Sequence, residues 1–181
     1  MKKFNAYIPV LVVLIFIVGG IFFLFIKNNK KTERSLSQQN FILKGETLAP
    51  DFTFTTVDNK TISLSSLRGS PVIISFVLTV GCVPCKAEAL NIRTAQKEVN
   101  LKVIQIGISP YESEDDLRDF RKNFGSSDWI IGFDKDQKIT DLYKVRTVDT
   151  TILINAEGKI IYRDDGYPIE TWTIIDLLGK K

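Results

Sequence analysis

Cys82-Val83-Pro84-Cys85 contains the only two cysteines of the chain, and a pair spaced in this way is suited to reversible thiol–disulfide chemistry. The flanking residues sharpen that reading. Val72-Ile-Ile-Ser-Phe-Val-Leu78 is a continuous, largely β-branched apolar run, as in a strand buried on both faces. Pro84 suits the first turn of a helix, where a missing N–H costs nothing. A strand, a CxxC and a helix in that order bring the two sulfurs within disulfide reach in a first helical turn. The unpaired N–H groups and the dipole of that turn stabilise a thiolate at Cys82. Cys82 is therefore expected to be the exposed nucleophile and Cys85 the more buried resolving thiol. A mixed disulfide formed at Cys82 is cleared by Cys85, leaving the 82–85 disulfide, or the cycle runs backward. Pro84 stiffens the loop, and Val83 gives its rim an apolar side chain.

Other chemistry is narrowed by what the chain lacks. It has no histidine, which removes Cys-His and Ser-His catalysis, imidazole zinc ligands and the usual near-neutral proton shuttle. A structural zinc site normally takes four ligands, and there is no second CxxC. A purely structural disulfide closing so short a loop would remove little chain entropy. The formal charge of +3 is also uneven: residues 1–34 hold six Lys and Arg against Glu33 alone, so the remainder is slightly acidic. A nucleic-acid binder would carry its positive footprint on the folded part, so no nucleic-acid partner is expected.

The elements that must position the cysteines are readable from periodicity. Phe52-Thr-Phe-Thr-Thr-Val57 alternates and meets Thr61-Ile-Ser63 across Asp58-Asn59-Lys60 as an amino-terminal β-hairpin. Ser63 to Leu67 suggests a short helical turn ended by Gly69. A helix is expected from about Cys82 through Leu90, Ile92 and Val99, then a buried strand Val103–Ile108. Ser113 and Asp116 resemble a capping box ahead of Leu117, Phe120 and Phe124 at helical spacing. Residues 135–143 read as a shorter helix, with Trp129 and Phe133 as packing residues. Thr151–Ile154 and Lys159–Tyr162 form a hairpin around Asn155-Ala-Glu-Gly158, and Thr171–Leu178 is a last helix ended by Gly179. Strands separated by helices, finished by a hairpin and a helix, give an α/β domain with a mixed sheet.

Ahead of the domain, Ala6–Ile26 is an uncharged stretch of 21 residues, about 31 Å as a helix and enough for one bilayer crossing. It is longer than a signal-peptide core, no small-x-small cleavage site follows it, and no cysteine precedes Cys82 for lipid attachment. The expected organisation is a short basic tail (1–5), an uncleaved transmembrane signal anchor (6–26), a polar tether (27–40) and one domain (41–181). Lys2 and Lys3 before the span, against Lys27, Lys30, Lys31 and Arg34 after it, favour a cytoplasmic domain by the positive-inside rule.

In order along the chain, the chain carries Ala49-Pro50-Asp51-Phe52, Leu64-Ser-Ser-Leu-Arg-Gly69, Pro71 before the central strand and Cys-x-Pro-Cys with Glu88. These are followed by Phe133-Asp134, Tyr143-Lys-Val145, and Thr150-Thr-Ile-Leu-Ile-Asn155 with Gly158-Lys-Ile160. The chain thereby resembles, over about residues 48–165, the membrane-anchored thiol–disulfide oxidoreductases of the TlpA/ResA type. The resemblance implies a thioredoxin-like fold with an amino-terminal hairpin and a mixed central sheet. It also implies electron exchange with thiol- or disulfide-containing partner proteins and with an upstream electron donor or acceptor. No cofactor beyond a redox-active Cys82–Cys85 disulfide is expected. An extracytoplasmic domain on a single-pass membrane anchor is implied too, and this outweighs the modest charge bias of short flanks.

Three departures from the family pattern bear on the site. Gly81 stands where the family usually has tryptophan, leaving the approach to Cys82 without an indole cover. In Val145-Arg-Thr-Val-Asp-Thr150, Asp149 occupies the place of the family's cis-proline. A cis bond before a non-proline residue costs about 2.5–4 kcal/mol, so Val148–Asp149 is expected to be trans. By resemblance Val148, Asp149 and Thr150, with Val83 and Pro84, face the substrate, although the missing proline alters the backbone clamp. An Asp149 carboxylate near the thiols would raise the thiolate pKa; the plain alternative is a solvated loop carboxylate. Third, Ser75 and Phe76 stand where thioredoxins carry a buried acid. Glu88, one turn after Cys85 on the same helical face, is the nearby candidate for relaying a proton to Cys85, unless it is a surface glutamate. Ile108-Ser-Pro-Tyr-Glu-Ser113 and Val148-Asp149 also look like the SCO/SenC branch, whose members bind copper through CxxxC and a histidine; here there is CxxC and Thr150. Copper binding or delivery is thus an alternative function. Thr79-Val-Gly-Cys82 resembles the TxxC of peroxiredoxins, but Ser75 occupies that motif's proline position, which leaves thiol peroxidase as a weaker alternative.

Overall fold

The computed structural model describes residues 47–179. Two short strands, β1 (Thr53–Thr55) and β2 (Thr61–Ser63), pair antiparallel with Phe54 opposite Ile62. A 3₁₀ turn over Leu64–Leu67 follows, capped by the Ser63 side chain, which accepts from the Ser66 N–H. The main sheet has the order β5-β4-β3-β6-β7. Its strands are β3 (Val72–Val77), β4 (Lys102–Gly107), β5 (Ile130–Phe133), β6 (Thr150–Ile154) and β7 (Ile160–Asp165). β3, β4 and β5 run parallel, while β6 and β7 pair antiparallel, which makes the sheet mixed as expected. The helices are α1 (Val83–Ala95), α2 (Glu114–Phe124), α3 (Lys138–Leu142) and α4 (Thr171–Leu178).

Alternation along β3 divides the core. Ile73 and Val77 point to a cluster built with α1, α2 and α4, whereas Val72, Ile74 and Phe76 point to one built with the hairpin and α3. The whole of β3 is buried, as its apolar run requires. The capping box of α2 is present: Asp116 N–H donates to Ser113 Oγ, and the Ser113 N–H donates to the Asp116 carboxylate at 2.7 Å. Asp134, buried after β5, starts α3 by accepting the N–H groups of Ile139 and Thr140 at 3.1 and 2.6 Å.

One element and several boundaries differ from the sequence reading. β5 has no counterpart there: it is four residues with Gly132 inside it and is fixed by its parallel neighbour β4 rather than by its own pattern. Trp129, just before β5, is 2% exposed and donates its indole N–H to Gln96 at 2.5 Å. α1 ends at Ala95, and Val99 is buried beyond it in a turn. β7 runs on to Asp165, where Arg163 is bound to the Asp165 carboxylate at 2.8 Å and to the Tyr143 carbonyl at 2.7 Å. α3 starts at Lys138 rather than 135. The expected anchor and tether lie outside the described residues, among which no helix is long and apolar enough to cross a membrane.

The hairpin joins the main sheet at β5, where Val57 N–H donates to the Ile131 carbonyl at 2.9 Å. A β-carbon on Gly132 would lie 2.6 Å from the Phe54 ring and 2.7 Å from the Thr55 carbonyl, whereas one on Gly107 would meet only the side chains of Phe133 and Leu117. Backbone cannot move aside as a ring can. Gly132→Ala is therefore expected to cost about 1–3 kcal/mol and Gly107→Ala less, as measured by denaturant unfolding.

Candidate active site

At the end of β3 the chain passes through residues 78–81 to Cys82, the N-cap of α1. Cys82 and Cys85 are disulfide-bonded, with their α-carbons 5.4 Å apart. Cys85 N–H donates to Cys82 Sγ at 3.1 Å, so the sulfur occupies the place of a capping oxygen and would meet the same N–H as a thiolate. Cys85 is fully buried and Cys82 is 7% exposed. The two sulfurs differ in the expected sense, but Cys82 is far more covered than an exposed nucleophile, packing in the same apolar cluster as Val77 and Ala89. Pro84 lies in the first turn as its lack of an N–H allows, and Val83 and Pro84 are exposed, Val83 to 74%.

Gly81 has φ 77°, in the left-handed region where glycine is at ease, and open space surrounds the place of a β-carbon. The peptides just before it are held by Glu112, in the loop between β4 and α2. Thr79 N–H donates to both carboxylate oxygens, at 2.9 and 3.1 Å, and Val80 N–H donates to one of them at 2.9 Å. Sequence reasoning noted the 108–113 loop for its resemblance to copper proteins and missed this contact. The available signal was an acid beyond the carboxyl end of a parallel strand, where α/β proteins place their sites.

Glu88 is fully buried on the face of α1 that carries Cys85, and its carboxylate accepts from the Thr151 hydroxyl. It is not a surface glutamate. Burial first, then the neighbouring Asp149 carboxyl, push the Glu88 pKa well above the ordinary glutamate range, while the Thr151 and Ser75 hydroxyls oppose them. Asp149 is 1% exposed rather than solvated. No cis peptide occurs among the described residues, and Asp149 takes φ 64°, which Asp tolerates better than most residues. Its N–H donates to the Phe76 carbonyl at 2.9 Å and its carbonyl accepts from Gly166 at 3.3 Å. Both backbone groups are thus used internally.

Of the five positions expected to face a substrate, Val83 and Pro84 are exposed and Val148 is half-buried, while Asp149 and Thr150 point inward. Thr150 is fully buried, with its hydroxyl donating to the Thr147 carbonyl at 2.8 Å. Among the described residues no three Cys, Asp or Glu side chains are grouped to hold a metal ion, so the copper reading gains no third ligand here. The Thr79 hydroxyl, on which a peroxidase reading would lean, is buried without a hydrogen-bond partner.

A family model described as the AhpC/TSA family matches residues 46–163. The chain is 32% identical over 114 residues to the thiol–disulfide oxidoreductase ResA of Bacillus subtilis, a stretch that is 62% of this chain and 63% of that protein. It is 28% identical over 163 residues to ResA of Oceanobacillus iheyensis, covering 88% of this chain and 81% of that one. Among solved structures, a thioredoxin-like protein from Aeropyrum pernix superposes with a TM-score of 0.61 at 19% identity, covering 83% of this chain and 96% of that one. That likeness shows the fold: α/β and thioredoxin-like, with a mixed sheet and an amino-terminal strand pair.

Two measurements check the site as described. Glu112→Ala is expected to destabilise the protein by about 1–3 kcal/mol and to speed amide exchange at Thr79 and Val80, with Glu112→Gln intermediate. Because Glu88 binds its proton more tightly in the folded than in the unfolded protein, its contribution to stability is full below the ordinary value of 4.5 and is lost as pH rises toward the elevated one. The stability difference between wild type and Glu88→Gln should accordingly fall with rising pH above that value.

Proposed function

The chain belongs to the AhpC/TSA family, and we propose that it is a thiol–disulfide oxidoreductase whose Cys82–Cys85 couple exchanges two electrons with the thiols of partner proteins. The observation that carries this reading is the placement of the disulfide. It sits at the N-terminus of a helix that follows a fully buried strand, with Cys82 slightly exposed beside the exposed Val83 and Cys85 fully sealed. The likeness to the ResA proteins supports it.

In the reducing direction the Cys82 thiolate attacks a partner disulfide, and one partner sulfur leaves as a thiolate. Cys85 loses its proton and attacks Cys82 Sγ; the S–S bond to the partner breaks, the 82–85 disulfide forms, and the second partner sulfur leaves. Two electrons have passed to the partner. The Cys85 N–H and the helix end favour the Cys82 thiolate that begins the cycle. Glu88, one turn beyond Cys85 on the same buried face, is the group placed to take the Cys85 proton. The exposed Val80 and Val83 give a partner an apolar rim to rest on beside Cys82.

The reading extends to the whole chain. Residues 6–26 anchor it in a membrane, residues 27–40 lift the domain away, and the domain works on the extracytoplasmic side, where an upstream thiol protein resets the couple. The dithiol needs no further cofactor for this exchange.

Wild-type protein should show a reversible two-electron couple and reduce insulin disulfides. Cys82→Ser should abolish turnover, and Cys85→Ser should accumulate a mixed disulfide at Cys82. Retained turnover in the Cys82 variant would sink the assignment. In intact cells, a membrane-impermeant thiol reagent should label Cys82 after mild reduction; protection until lysis would place the domain in the cytoplasm.

A further inference from the structure

The sheet surface beneath α1 is polar at its centre. Gln105, Ser75, Thr151 and Asp164 stand opposite one another on β4, β3, β6 and β7, in a single row across four strands. The first three are fully buried and Asp164 is 9% exposed. Glu88 comes down on this row from α1, bound to the Thr151 hydroxyl. Asp149, two residues before Thr151, brings its carboxyl beside that of Glu88.

The hydrogen bonding of this patch is incomplete as two carboxylates. Glu88 Oε2 and both oxygens of Asp149 are sealed from solvent with no hydrogen-bond partner, and neither side chain has a cation in an ion pair among the described residues. Carboxylate oxygens only accept, so these three oxygens, which no outside donor reaches, gain a hydrogen bond when one of the two groups carries a proton and donates it to the other. The turn around Asp149 has its main chain held at Phe76 on one side and Gly166 on the other, which fixes where its side chain starts.

We propose that Glu88 and Asp149 hold one proton between them, and that Asp149 is the positioning residue that keeps Glu88 ready to exchange a proton with Cys85. This rests on the oxidoreductase reading given above. As Cys85 attacks the mixed disulfide at Cys82, its thiol proton passes to the pair, which then holds two. The Cys85–Cys82 bond forms, the Cys82–partner bond breaks, and the departing partner thiolate takes up a proton released from the pair. The pair begins and ends the cycle with one proton, and the electrons move only between sulfurs. The other groups facing Glu88 are the Ser75 and Thr151 hydroxyls and, from β7, Tyr162, whose hydroxyl donates to Asp164 at 3.2 Å. None of these is a cation that would hold both carboxyls ionised.

The test is a carboxyl-carbon NMR titration of the oxidised full chain, with and without Asp149→Asn. Asparagine keeps the left-handed turn and the shape but removes the acid. Glu88 is expected to titrate well above the ordinary glutamate range in the wild type and at least about one pH unit lower in the variant. Should Asp149→Asn fail to fold, Asp149→Gly, which also accepts a positive φ, gives the same comparison. A Glu88 that titrates in the ordinary glutamate range in the wild type, or one whose titration is unmoved in the variant, overturns the proposal. The measurement involves no partner and no electron transfer. A protein that lacks a redox couple would therefore defeat the oxidoreductase reading and leave the titration as it is.

Discussion

The carboxyl end of β3 is the point on which the site depends. The strand is hydrogen-bonded to β4 on one edge and β6 on the other and is buried on both faces, so its last residues have no freedom to shift. Three loops are tied to those residues. The chain itself continues from Val77 to Cys82; the Val77 carbonyl accepts from Ile108, which begins the loop carrying Glu112; and the Phe76 carbonyl accepts from Asp149. Cys82, the Glu112 loop and the buried Asp149 are therefore positioned by two consecutive peptides of one rigid strand. A site held in this way relies on backbone bonds that substitutions leave in place.

The parts of the fold that were legible in the sequence are those coded locally. The β-branched run of β3, the proline in the first turn of α1, the Ser113–Asp116 box and the glycine after α4 each determine their own few residues, and each is found where those patterns put it. β5 was not legible because four residues interrupted by Gly132 carry too little pattern, and its identity comes from β4 beside it. The cysteines and the helical face of Glu88 could be placed from spacing alone. The polar row under Glu88 could not: Ser75, Gln105 and Thr151 are each unremarkable in their own segments, and only the cross-strand register brings them together. The contact of Glu112 with Thr79 and Val80 is likewise made between loops more than thirty residues apart in sequence.

Two of the three departures from the TlpA/ResA pattern take the left-handed region, Gly81 at φ 77° and Asp149 at φ 64°. On the Gly81 side, side-chain cover is exchanged for a backbone bend held by Glu112. On the Asp149 side, the backbone groups are spent on Phe76 and Gly166, and a second acid is delivered beside Glu88. The acid that the sequence places at position 149 is a buried carboxyl beside Glu88 rather than one facing water.

Strand pleating adds a constraint of a different kind. Successive residues of a strand face opposite sides of a sheet, and Ser75, Gln105 and Thr151 face α1 only because each keeps its parity within its strand. A single inserted or deleted residue in β3, β4 or β6 would transfer that strand's polar residues to the hairpin side and bring apolar ones under Glu88. The chemistry of this site can therefore drift by exchange of one residue type for another, while the lengths of its three central strands are closed to change.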